Sequence, residues 1–355
     1  AGTWQTNNLT VTPNGTDKIG GLSTDLVLSV EGQSVTFLFV DSTQGWINIQ
    51  DSTSNERAEN FISATGGTIT QSGDFKIHTF TGPGTFCVAS ISAAPSNNEV
   101  SYIVVAGGGG GGGEGGGAGA GGYRERKAAN DSYTASPING ATPITVTATA
   151  FPIAVGGGGP SATNCSSPGT NGVNSTFSSI TSAGGGFGGS KNSPCTSAGR
   201  HGSPGGSGGG SGRDRTGTAG AGNTPPVSPS QGFPGNNSQA PSGSAGGGGG
   251  GATVAGAQGT GPSPTEAGGN GGNGANTSIT GSPVIYAGGG GGGSINCNPT
   301  YSGAGGDGGG GRGGYNDAVA GTANTGGGGG GSGQSPGANA AAGGSGIVII
   351  RYKFQ

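Results

Sequence analysis

The chain has 355 residues, 92 of them glycine, with only 28% hydrophobic and 8% charged. A formal charge of −3 and a pI near 5.3 exclude the basic surface that nucleic acid or an anionic membrane would require, and no apolar run approaches the roughly 18 residues of a membrane helix. Disorder usually accompanies strong net charge, which is absent here; with no methionine and no signal peptide at its start, the sequence reads as a processed or partial chain.

Residues 1–54 read as a small β-rich unit. Leu9-Thr-Val-Thr12 precedes a turn at Pro13-Asn-Gly15, and Leu26-Val-Leu-Ser-Val30, Val35-Thr-Phe-Leu-Phe-Val40 and Trp46-Ile-Asn-Ile49 follow as strands between turn residues. The last two predict a hairpin with Trp46 over one face. A unit of about fifty residues buries little surface alone, so oligomerisation is expected here. Residues 55–105 predict a second antiparallel unit, with Phe75-Lys-Ile-His-Thr-Phe80 and Thr85-Phe-Cys-Val88 joined by Gly82-Pro-Gly84. His78 falls opposite Ile77 in the alternation. With no carboxylate or nucleophile near it in sequence, it reads as a surface or edge histidine.

From residue 106 the composition changes. Glycine runs at 107–113, 246–251, 288–293 and 326–331 are spaced by Ser, Asn, Thr, Pro and Ala. A flexible linker would explain glycine alone, but Tyr102-Ile-Val-Val-Ala106, Phe151-Pro-Ile-Ala-Val155 and Pro283-Val-Ile-Tyr-Ala287 lead into runs, and the chain closes on a strand at 346–354 that needs a partner. Collagen requires glycine at every third position, and no such period persists. The remaining ordered form is polyglycine II, in which left-handed strands of three residues per turn have no internal hydrogen bonds and pair outward with their neighbours. A run such as 107–113 would extend about 22 Å at about 3.1 Å per residue. The expected fold is mainly β and polyglycine II, with almost no α-helix: residues 106–355 form a polyglycine-helix sandwich closed by the terminal strand.

Gly66-Gly-Thr-Ile-Thr, Asp74-Phe-Lys-Ile-His-Thr-Phe80, Gly84-Thr-Phe86, Tyr102-Ile-Val-Val-Ala-Gly-Gly-Gly, Phe151-Pro-Ile-Ala-Val-Gly-Gly-Gly and Gly344-Ser-Gly-Ile-Val-Ile-Ile-Arg-Tyr352 together resemble the glycine-rich domain at the ends of phage tail fibres. The resemblance runs over about residues 60–355. The segments around Leu9-Thr-Val-Thr and Gly45-Trp-Ile-Asn-Ile are similar to repeats in fibre and other virion-appendage proteins. The resemblance implies a virion-exposed adhesin whose inter-helix loops contact a host surface receptor, a polysaccharide or an outer-membrane protein. It also implies assembly as a homotrimer with other virion proteins. Unlike the separate small adhesins of T-even-like phages, this chain carries β-units of its own.

On a rigid scaffold, binding chemistry collects in loops. The excursion 118–150 holds the densest charge, Tyr123, Arg124, Arg126 and Lys127 with Tyr133 beyond. That cluster reads either as a solvated turn or as a contact to phosphate or carboxylate groups, for which arginine has a bidentate fit. Tyr301, Tyr315 and Asn316 are further loop-tip candidates, and Phe233-Pro-Gly-Asn236 offers another polar and aromatic tip. No catalytic constellation, metal set or cofactor motif emerges: Gly184-Gly-Gly-Phe-Gly-Gly-Ser-Lys191 has Ser before Lys, the reverse of a phosphate-binding loop, and His78 and His201 are not at zinc spacing from cysteines. Cys165 and Cys195 lie in similar polar stretches, where free thiols and a loop-to-loop disulfide are the alternatives. The expectation is a non-enzymatic receptor-binding protein without cofactor; its rival is a structural or decoration protein, a head fibre or cellular surface filament, with the glycine region as spacer.

Overall fold

The computed structural model describes every residue except 1–3, 5, 31–32, 52–60, 93, 164–166, 192–196, 214–215, 240–244, 262–264, 334–339 and 355. The chain forms two compact units, Ala1–Asn60 and Phe61–Gln355. In the first, β1 (Leu9–Val11) pairs antiparallel with β2 (Leu26–Leu28), and β3 (Val35–Asp41) with β4 (Gly45–Asp51). The β3–β4 hairpin is the one predicted. Its turn is held by Asp41, whose Oδ1 accepts from the amides of Thr43 and Gln44 at 2.7 Å each. Gly45 has φ +67°, and a Cβ there would collide with the Lys18 carbonyl, which accepts from Trp46 N. Phe39 and Trp46 meet edge-on at 5.5 Å, but Leu38, Phe39, Trp46 and Ile49 all remain exposed.

The second unit combines a β-sandwich with the glycine region. Its strands are β5 (Ser63–Thr65), β6 (Thr68–Ser72), β7 (Phe75–Phe80), β8 (Gly84–Ser90), β9 (Glu99–Val105), β10 (Tyr123–Arg126), β11 (Ile144–Thr145), β12 (Ala150–Ala154), β13 (Ser175–Phe177), β14 (Ile180–Ser182), β15 (Ala275–Thr277), β16 (Val284–Tyr286) and β17 (Ile347–Lys353). One sheet runs β10-β9-β17-β7-β6 with β11 also on β9, the other β14-β13-β12-β8-β5. Segment 55–105 is therefore not a unit by itself, contrary to its reading from sequence. Each of its main strands pairs with later chain: β9 and β7 flank β17, and β8 pairs with β12. The Gly82-Pro-Gly84 turn carries the chain from one sheet to the other. Apart from short 3-10 turns at Pro95–Asn98, Ser197–Arg200 and Pro299–Tyr301, the described residues contain no helix.

Strand β17 shows why the ends of this unit must meet. Its residues alternate between two cores: Val348, Ile350 and Tyr352 join Phe86, Tyr102 and Phe177 between the sheets, while Ile347 and Ile349 join Ile77, Ile103, Tyr123 and Ile279 on the opposite face. His78 belongs to the inter-sheet side, fully buried and edge-on to Phe86 at 5.0 Å. Its reading as a surface histidine is corrected, because β6 and β17 enclose β7 on both sides and the second sheet covers this face. Nδ1 donates to the Gly66 carbonyl at 2.7 Å, and Nε2 accepts from the Tyr352 hydroxyl at 3.1 Å. Burial lowers its pKa and raises that of Tyr352 to about 12.

The glycine runs pair with a threefold rhythm. Gly107 and Gly110 donate to Val173 and Thr170, Gly108 and Gly111 to Gly344 and Ala341, and Gly109 and Gly112 to Gly119 and Gly116. The carbonyls follow suit: Gly107 and Gly110 accept from Gly185 and Gly188, Gly108 and Gly111 from Gly159 and Ala162, Gly109 and Gly112 from Gly329 and Ser332. Successive residues point at different neighbours and the direction repeats every three residues, the polyglycine II arrangement. None of the glycines in 107–112 has a positive φ, so the repeat keeps the left-handed sense. Cβ atoms at Gly107, Gly108 and Gly109 would strike the carbonyls of Gly157, Gly327 and Gly186 in turn. With neighbours on all sides, only glycine fits.

Edge strands of the bundle show the same rule with one or two sides released. In Gly268-Gly-Asn-Gly-Gly-Asn273 the glycines turn inward and both asparagines face solvent. Asn270 and Asn273 accept from the amides of Ala304 and Asp307 at 2.9 and 3.1 Å, and Asn171 and Asn174 do the same for Phe187 and Gly184. Asparagine at every third position thus pairs backbone donors at the rim of the bundle that no neighbouring glycine strand reaches. The proportion of glycine in each three-residue step reports how many sides of that strand are enclosed.

Candidate binding surfaces

The bundle has two chemically distinct ends. Residues 106–113 lead away from β9 and 115–122 return into β10, so the turn at Glu114 marks the end far from the sandwich. Glu114 has φ +48°, its amide donates to Ser332 Oγ at 3.2 Å, and its buried carboxylate lies between Lys191 at 3.2 Å and Arg213 at 2.5 Å. Gly293 N donates to Gly115 O and Gly333 N to Tyr315 O, which brings the loops 294–302 and 314–318 to the same end. Tyr301 and Tyr315 sit there half-buried, and Asn316 is exposed.

Local hydrogen bonds shape these far-end loops. Ser294 Oγ accepts from Asn296 N, Asn296 Oδ1 from Asn298 N, and Asn298 Oδ1 caps the turn by accepting from Thr300 N, all at 3.0 to 3.1 Å. Arg312 bonds Asp317 Oδ2 at 2.8 Å and the Gly313 carbonyl, closing the loop that carries Tyr315 and Asn316. That hydrogen bond lowers the Asp317 pKa, although an ion pair this exposed adds little stability.

The other sequence candidates are at the sandwich end, and they do not form a loop tip. Tyr123, Arg124 and Arg126 make up β10 against β9, with Tyr123 opposite Val105 and Arg126 opposite Tyr102. Tyr123, Arg124 and Tyr133 are buried, Arg126 Nε bonds Glu99 at 2.7 Å, and the Lys127 ammonium lies 5.7 Å from the Tyr133 ring centre. The expectation of an exposed basic tip is corrected: Tyr123 is apolar enough to join the core beside Ile103 and Ile349, which draws the rest of the segment into the sheet. Replacing Arg124, Arg126 and Lys127 together would therefore disturb folding, not adsorption alone.

Sequence reading missed the group at the centre of this end, Glu125. It is fully buried and accepts from Tyr123 OH at 2.9 Å, Tyr133 OH at 3.1 Å, Thr277 Oγ1 at 2.7 Å and Ser136 N at 2.9 Å. Burial, then the neighbouring carboxylate, drive both tyrosine pKa values up, so both stay protonated donors. Next to it Arg351 Nε bonds Asp131 at 3.0 Å and the guanidinium stacks on Phe75 at 4.3 Å. The signal in sequence was an acid between two arginines in an alternating segment, which places Glu125 on the Tyr123 face. These groups hold the structure together; solvent does not reach them. Cys165 and Cys195 lie outside the described residues, whereas Cys87 and Cys297 are free and exposed.

A glycine-rich domain model matches residues 81–353. The chain belongs to that family. The match begins at the turn between the two sheets and ends at the close of β17, so the glycine-rich domain takes in β8 to β17 together with the bundle. No curated protein matches the chain. Among the described residues no helix is long and apolar enough to cross a membrane.

Proposed function

We propose that this glycine-rich domain protein is a non-enzymatic adhesin of a virion appendage, a phage tail-fibre tip, that binds a host cell-surface receptor through the far-end loops. The observation that carries the reading is the segregation of chemistry. Inside the bundle nearly every position is glycine, alanine or serine in contact with neighbouring backbone, so side chains able to recognise a partner collect at the turns. At the far end these include Tyr301, Tyr315 and Asn316 on loops pinned by Asn296, Asn298 and Arg312. Pinned loops suit recognition, since little conformational freedom is lost on binding. Tyrosine and asparagine offer stacking and hydrogen bonds without a strong charge requirement, compatible with a polysaccharide or an outer-membrane protein.

Attachment would fall to the first unit, whose exposed Leu38, Phe39, Trp46 and Ile49 favour association with further copies, a homotrimer by the fibre resemblance. The test is competition: purified chain is added to host cells before phage. Parent chain should block adsorption, and a Tyr301→Ala/Tyr315→Ala/Asn316→Ala variant with unchanged melting temperature should not. If parent chain fails to bind cells, the spacer or decoration reading takes its place.

A further inference from the structure

We infer that a cleft at the sandwich end, walled by the edge strands β10 and β14 and by the loop 223–231, is a binding site for a carboxylate-bearing sugar held by Arg124. The cleft encloses about 410 Å³, within the roughly 300–1,000 Å³ range of small-ligand pockets. It lies at the opposite end of the bundle from the loops assigned to receptor contact, so it is independent of that reading.

Arg124 lines this cleft with only 7% of its surface exposed. Its Nε has no hydrogen-bond partner, and its one described bond is a long contact of 3.4 Å from Nη2 to the Ser228 carbonyl. Two other arginines of this end are ion-paired, Arg351 with Asp131 and Arg126 with Glu99, and the half-buried Lys76, Lys127 and Lys353 lie over the rings of Phe354, Tyr133 and Phe61. No carboxylate among the described residues pairs with Arg124. A guanidinium stays charged in proteins, and a buried charge without a counter-charge is costly. Desolvation acts on it accordingly, lowering its pKa. The Nε edge is itself buried, so the carboxylate is received at the terminal Nη nitrogens, whose planar pair makes two parallel bonds.

The remaining wall narrows the ligand. Ser179, Thr181 and Thr142 bring hydroxyls, while Ile180, Val227 and Pro225 bring apolar surface, the mixture that a polyhydroxylated ring with a carbon face requires. A single unmatched cation suits a monoanion better than a phosphate dianion. The wall is also built in advance. Gln231 Oε1 accepts from Ala183 N at 2.8 Å and its Nε2 donates to Pro225 O at 2.8 Å. Asn223 ties Val227 through both its amide nitrogen and its oxygen. Arg124 is thus the open donor in a frame whose other buried polar groups are engaged.

The test is calorimetric titration of the full chain with D-glucuronate, and in parallel with D-glucose, acetate and inorganic phosphate. Glucuronate should bind at one saturable site, with glucose and acetate each weaker by about tenfold or more, the scale of losing one charge-assisted bond or the ring contacts. Arg124→Gln should abolish binding. Ser179→Trp, which fills the mouth from an exposed hairpin turn and leaves Arg124 in place, should abolish it too, and it covers the case in which Arg124→Gln fails to fold. Absence of saturable glucuronate binding, retention of binding in the folded Ser179→Trp chain, or tighter binding of phosphate than of glucuronate would each overturn the inference.

Discussion

Neighbouring glycines of one strand should differ sharply in their tolerance of a methyl group. At Gly157 a Cβ meets nothing within 4 Å and φ is not positive, so Gly157→Ala should be neutral or stabilise by about 0.4–1 kcal/mol through the unfolded chain. One residue later, a Cβ at Gly158 would strike the Gly343 carbonyl. Separating those strands leaves buried groups unpaired at about 1–3 kcal/mol each. Gly290→Val is the severe case: its Cβ would strike Gly329 O and come within 3.1 Å of Ala118 N. The bonds at risk are Gly290 N to Ala118 O, Ala118 N to Gly329 O and Gly249 N to Gly290 O. Three such losses amount to about 3–9 kcal/mol, comparable with the whole stability of a typical domain, about 5–15 kcal/mol. Urea unfolding followed by circular dichroism would rank the variants. Equal midpoints for the alanines at 157 and 158, or a Gly290→Val chain within about 1 kcal/mol of the parent, would refute threefold packing as the source of stability.

Asp131→Ala should destabilise by about 3–5 kcal/mol by stranding the buried Arg351 charge, and Asp131→Ala/Arg351→Met should recover much of the loss in the same melts. Because burial holds the folded pKa of His78 below the ordinary histidine value of about 6.5, its contribution is complete above about pH 6.5 and is lost as pH falls through the folded value. His78→Leu should remove up to about 1.4 kcal/mol per pH unit from the slope of stability against pH in that window. In the first unit, Leu38→Glu/Phe39→Glu should shift the chain toward monomer in analytical ultracentrifugation, whereas a parent chain that is monomeric at all concentrations would sink the assembly proposal.

Much of the fold could be read locally. The β3–β4 hairpin followed from alternation and turn residues, the polyglycine II strands from runs with no other ordered use, and the need for a partner strand from Ile347 to Tyr352. Even the bundle edge is written in the chain, as asparagine at steps of three in 171–174 and 270–273. What local pattern could not assign was which face, and which end, a residue belongs to. His78 looked like an edge residue because alternation distinguishes two faces of a strand but not whether a second sheet covers one of them. Tyr123, Arg124 and Tyr133 looked like a loop tip because the segment lies between glycine runs; β9 offers it an open edge, and pairing there satisfies its backbone while burying its aromatic face. Burial next to an unpaired guanidinium, and the division of candidates between opposite ends, arise only when strands far apart in sequence close the same space. Composition alone determined that backbone would pack on backbone; the order in which those strands meet was decided by tertiary hydrogen bonding, since one glycine run offers the same donors and acceptors as another.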